Sequence, residues 1–145
     1  MSCRVHAYCR LKTTIGARDI ESGESDLNQY VAQLLELYLH TPGTLGRVRR
    51  EDRRLAAELH TRRVPLLTIE EAFLLATARR CLRAPDVPPL APVRSLHYFV
   101  PVVEEVLASP LPAGYPEYLK WKLQKIHAAH NEMLSRTRRP IHKRR

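Results

Sequence analysis

The sequence predicts an all-α fold, a small helical bundle of about five helices with Pro-rich connectors, an extended N-terminal arm and a basic C-terminal tail. Three observations predict it. Apolar residues recur at helical spacing in five stretches, at about 26–40, 50–62, 69–82, 95–107 and 116–135. Breakers separate the stretches: Pro42-Gly43, then Pro85, Pro88, Pro89 and Pro92, then Pro110, Pro112 and Pro116. Period-two alternation occurs once, where Val5, Ala7, Cys9 and Leu11 alternate with charged and polar residues, and a single strand without a partner is weak. With 145 residues the chain is long enough to bury one core. The expected organisation is an arm over 1–25, a single helical domain over 26–135 and a tail over 136–145. Within the domain, a Pro-rich strap over 84–94 joins the halves 26–83 and 95–135.

The elements follow in order. The arm is a short strand or an ordered extended segment, and Ser22-Gly23-Glu24-Ser25 reads as a loop. Asp26 is the expected N-cap of the first helix, whose stripe is Leu27, Tyr30, Val31, Leu34, Leu35 and Tyr38. Gly43 and Gly46 punctuate the next loop. Its Thr-Pro-Gly-Thr-Leu-Gly lacks the Gly-Lys-Ser/Thr ending of a phosphate-binding loop. The second helix carries Leu55, Ala56 and Leu59 on one side and Arg50, Arg53 and Arg54 on the other, with Arg47 and Arg49 just before it. Cations at a helix N-terminus oppose the macrodipole, so this cluster points to a role outside the helix; pairing such as Arg54 with Glu58 is the competing reading.

A turn over Arg63-Val64-Pro65-Leu66-Leu67 leads to the third helix, with Thr68 and Glu71 as an expected capping box. Ile69, Ala72, Phe73, Leu75, Ala76 and Leu82 line one face of it. The pair suggests a helix-turn-helix, but the second helix would offer Glu70, Glu71, Leu74, Thr77, Ala78, Arg79 and Arg80, acidic in its N-terminal half and apolar in its middle, which suits base readout poorly. A packed hairpin presenting Arg62, Arg63, Arg79, Arg80 and Arg83 is the expectation. Ser95 to Phe99 opens the fourth element, in which Pro101 is tolerable near the first turn. Pro116 is expected at N1 of the last helix. There Trp121 and Tyr118 lie among Lys120, Lys122 and Lys125; such aromatics stack on unpaired bases or bury at a core edge, and burial of Trp121 is the expectation. The tail holds Arg136, Arg138, Arg139, Lys143, Arg144 and Arg145.

Charge narrows the function. The net charge is +9, and 19 of the 24 basic residues are Arg, which grips phosphate bidentately. A nucleic-acid partner follows, with the arginines and lysines named above as backbone contacts, little sequence preference and no cofactor. A soluble protein from an Arg-rich, high-GC genome is the bland alternative. Cys3, His6 and Cys9 stand close together, but zinc needs four ligands and the alternation splits His6 from the cysteines, so no metal is expected. No catalytic motif is recognisable, and a non-enzymatic protein is expected. Three cysteines, an odd number, and the lack of an apolar leader or a long apolar run point to a cytoplasmic protein that does not enter a membrane.

The alanines Ala72, Ala76 and Ala78, the linker and then Tyr98-Phe99-x-Pro-Val102-Val103 resemble helical accessory domains of bacterial and plasmid replication proteins, of the DnaD-type primosomal kind, over about 50–108. The tryptophan that family places soon after the aliphatic pair is missing. The resemblance implies a helical DNA-binding accessory role in replication or a mobile element. The second expectation is a small scaffold subunit of a larger nucleoprotein complex, an RNA-guided effector or a transposition assembly, whose main contacts are to other protein subunits.

Overall fold

Seven consecutive residues, 72–78, are buried, so the helix that carries them is enclosed on every side. In the computed structural model, which describes residues 23–137 except Pro85, this is α3, Leu66–Cys81. Before it come α1, Gly23–His40, and α2, Arg50–Thr61. After it come a 3-10 turn, Leu96–Phe99, then α4, Val100–Ala108, and α5, Tyr115–Thr137. The fold is all-α, as the periodicity predicts.

The third helix packs on α1, α4, α5 and the 3-10 turn, while α2 packs on α1 and the 3-10 turn. One core joins them. Phe99 is its hinge, tilted on Phe73 at 4.4 Å between centroids and edge-on to Tyr38 at 6.2 Å. Leu34, Leu59, Ile69, Leu74, Leu96 and Val103 fill the surrounding space.

Several expectations change. Helix α1 starts at Gly23, so Asp26 lies in its first turn rather than at its cap. Asp26 instead approaches His60 at 3.4 Å. Helix α3 starts at Leu66, with Pro65 as N-cap at φ −64° and ψ 140° and no side-chain cap bond, so Thr68 and Glu71 form no capping box. The extended ψ of Pro65 already sets the entry, and Val64, buried before it, shortens the turn. Helices α2 and α3 are not a packed hairpin, because α1 is the neighbour both share. Burial of Leu74, Thr77 and Ala78 removes the proposed groove face altogether. Pro116 is the second residue of α5, one position deeper than expected. The arm's alternation, with Cys3, His6 and Cys9, lies outside the described residues.

The strap is fixed at its far end. The Val93 N–H donates to Gly43 O (2.8 Å) and the Leu45 N–H to Val93 O (3.0 Å), an isolated parallel bridge between strap and α1–α2 loop. Gly43 makes this possible at φ +86°. Ser95 then caps the 3-10 turn by accepting from the His97 N–H, and Pro101 falls in the first turn of α4.

Two buried hydroxyls, those of Tyr38 and Thr77, are unsatisfied among the described residues. The Tyr38 hydroxyl has no hydrogen-bond partner among the described residues, and burial together with the charge of Asp52 pushes its pKa up. Replacing Tyr38 by phenylalanine is therefore expected to leave stability unchanged or raise it by about 1 kcal/mol in urea denaturation. A loss above about 1 kcal/mol would mean that the hydroxyl is satisfied in solution.

Candidate nucleic-acid interface

A buried carboxylate builds the basic surface. Asp52 faces inward from the first turn of α2 with no exposed area. It accepts from the Arg49 N–H (2.8 Å), the Leu96 N–H (2.8 Å) and the Ser95 hydroxyl (3.0 Å). One side chain thus caps α2 and fastens the start of the 3-10 turn to it. Its negative charge also offsets the arginines at the positive end of the α2 dipole. Leu55, Ala56 and Leu59 share the inward face, so Arg50, Arg53 and Arg54 are turned outward and exposed.

Four ion pairs occur among the described residues, and none engages Arg47, Arg49, Arg50, Arg53, Arg54 or Arg63. The alternative pairing of Arg54 with Glu58 is not formed. Arg94 joins this set, a residue sequence reasoning missed. It stands between Val93, bridged to Thr44, and Ser95, bonded to Asp52, so the strap delivers its exposed side chain to the start of α2. Nothing in the spacing of the sequence signals that; it follows from the Val93 bridge together with the bonds Asp52 makes.

Five other predicted contacts are spent on the fold. The Arg62 guanidinium pairs with Glu104 (2.7 Å), tying the end of α2 to α4. Arg79 grips Glu105 bidentately (2.7 and 2.5 Å), tying α3 to α4. These hydrogen bonds hold both carboxyls below their usual range and raise both guanidinium pKa values. Arg80 donates to Ala91 O (2.7 Å) and the Tyr98 hydroxyl (3.2 Å), and Arg83 donates to Pro88 O (3.2 Å). These two arginines hold the strap down. Lys120 stands 3.8 Å from Glu70. A phosphate reaching any of the five has to displace an existing partner.

Arg63 is a different case. It ends α2 at φ +55°, the left-handed region, with its N–H donating to His60 O (2.8 Å) and the Val64 N–H to Leu59 O (3.1 Å). That is a Schellman motif with arginine where glycine is usual, closed by buried Val64 against buried Leu59. Arg63→Gly is expected to hold or raise stability, by up to about 1 kcal/mol, because it relieves the left-handed cost of about 1–2 kcal/mol while adding unfolded-state entropy. It also removes an unpaired charge, so the thermal midpoint and the affinity for DNA should move in opposite directions. A fall in both would contradict this reading.

The last helix corrects the expectation for Trp121, which is 52% exposed. Among the described side chains of α5, Leu119 and Leu123 are the buried ones, and positions 118, 121, 122 and 125 fall off that face. Tyr115, Tyr118 and Trp121 stack in sequence, with centroids 6.0 and 6.1 Å apart and planes within 27° and 29° of parallel. The Lys122 Nζ lies 5.6 Å from the Tyr118 ring centre and the Lys125 Nζ 4.9 Å from that of Trp121. Arg136 falls in the last turn of α5. Its side chain lies outside the described residues, as do Arg138, Arg139, Lys143, Arg144 and Arg145.

Among the described residues, no group of three or more His, Cys, Asp or Glu side chains is placed to hold a metal, and no helix is long and apolar enough to cross a membrane. Comparison of the chain with protein-family models, with curated proteins and with solved structures gives no match.

Proposed function

We propose that this protein is a non-enzymatic, cytoplasmic nucleic-acid-binding accessory protein that grips the phosphate backbone with little sequence preference. The observation that carries the reading is the row of guanidinium groups that form no ion pair among the described residues, on the outer side and approach of α2: Arg47, Arg49, Arg50, Arg53 and Arg54, with Arg94 beside them. Guanidinium groups free of carboxylate partners cost little to transfer to phosphate. Burial of Leu74, Thr77 and Ala78 leaves α3 without a recognition face, and contacts to phosphate position a protein without specifying a sequence. Replication or a mobile element is the setting the resemblance to primosomal accessory domains implies.

A second reading, a scaffold subunit of a larger nucleoprotein complex, draws on the exposed apolar side chains Leu39, Leu45, Leu67 and Leu90. In that setting the apolar groups meet protein and the arginines line a nucleic-acid channel.

The test is direct binding of the isolated chain to labelled DNA and RNA, single- and double-stranded, at low salt. The first reading expects a shift at about micromolar protein or below. No shift with any nucleic acid at that concentration defeats it and leaves the scaffold reading.

A further inference from the structure

We propose that the Tyr115–Tyr118–Trp121 ladder on α5 is a stacking platform for unpaired bases, so that the preferred polyanion is a single strand. The inference rests on the nucleic-acid reading above and specifies its ligand.

Three features carry it. The rings are exposed and stacked one on the next along the helix, so the end rings, Tyr115 and Trp121, each keep one face that the ladder itself does not cover for an incoming planar group. Lys122 and Lys125 lie against two of those rings, putting cations within reach of any strand whose bases touch them. The cation–π contacts at these exposed sites are weak, and a lysine that swings from ring to phosphate uncovers the face for a base. Sequence-tolerant binders of single strands combine aromatic faces with cations along the backbone, since every base has a π-face.

Charge selects this occupant over a protein helix. Covering the ladder with an apolar surface would strand two ammonium groups away from water, whereas a phosphodiester backbone pairs with them. Structure selects a single strand over a duplex. Bases in a duplex are already stacked on one another, and a convex helix surface cannot reach their faces.

The chain has one tryptophan, so its fluorescence reports on this site alone. The full chain is titrated at low salt with oligothymidylate and with a duplex of equal phosphate content. Oligothymidylate is expected to quench Trp121 and the duplex is not. Tyr118→Ala with Trp121→Ala is expected to weaken oligothymidylate binding at least about tenfold, with duplex affinity and circular dichroism unchanged. Trp121→Phe is expected to retain most of the affinity.

Binding of oligothymidylate without quenching, or with full affinity in the double alanine variant, overturns the platform while the phosphate grip stands. Binding of neither nucleic acid overturns both. Self-association that disappears in the double alanine variant assigns the ladder to a second copy of the chain and also overturns the proposal.

Discussion

Asp52→Ala is expected to lower stability by about 2–4 kcal/mol, a drop of about 8–20 °C in thermal midpoint for a domain of this size. The side chain satisfies three donors at once. The Leu96 N–H is buried, so its loss has no solvent to compensate it, while the Arg49 N–H and Ser95 hydroxyl recover part of theirs from water. Losing the cap of α2 adds about 1 kcal/mol. Removing a buried charge returns some desolvation energy, which is why the expected loss is smaller than three orphaned donors would give. Asp52→Asn separates the roles. Its carbonyl oxygen can still serve Ser95 and Leu96, but its NH2 then faces the Arg49 N–H, so an intermediate loss is expected. An alanine variant within about 0.5 kcal/mol of the parent would mean that Asp52 does not hold the 3-10 turn to α2.

Reversing Arg49, Arg50, Arg53 and Arg54 together to glutamate is expected to weaken DNA binding at least about a hundredfold at low salt. Four attractive contacts become four repulsive ones. The fold is expected to survive, for these side chains are exposed and unpaired, and substitutions at such positions usually move stability by about 0.5 kcal/mol or less. Negative charge at the N-terminus of α2 also suits its dipole. Six consecutive acidic side chains repel one another, so the glutamine quartet is the companion variant: it removes the attraction without creating that run. Loss of helical circular dichroism in both quartets would make these arginines structural.

How far the sequence led depends on the range of the interactions. The stripe of α1 and the segment opened by Ser95, with Pro101 near its first turn, were legible because each is a local pattern read against one core. The orientation of the α2 arginines was legible for the same reason: Leu55, Ala56 and Leu59 can face only one way. The beginning of α3 was misread because Thr68 and Glu71 satisfy a local rule, whereas the true start depends on Pro65 and on burying Val64 in the core.

The fate of Arg79, Arg80 and Arg83 was illegible. Cations suit the end of a helix whether they reach solvent or not, and their partners Glu105, Ala91, Tyr98 and Pro88 lie farther along the chain. Trp121 was assigned to the core because large aromatics usually are. Its exposure follows from helical register, since position 121 falls on the side of α5 opposite buried Leu119 and Leu123. Arg94 was missed because only the Val93 bridge together with the bonds Asp52 makes reveals which surface the strap joins.

The central claim is that unpaired guanidinium groups at the start of α2 meet phosphate. The most direct test is the slope of log affinity against log salt for duplex DNA, measured for the parent and for the glutamine quartet. The parent should lose affinity steeply, and the quartet's slope should be shallower by about four contacts' worth, at ~0.9 per phosphate. Equal slopes for the two proteins, or a parent affinity indifferent to salt, would contradict the claim.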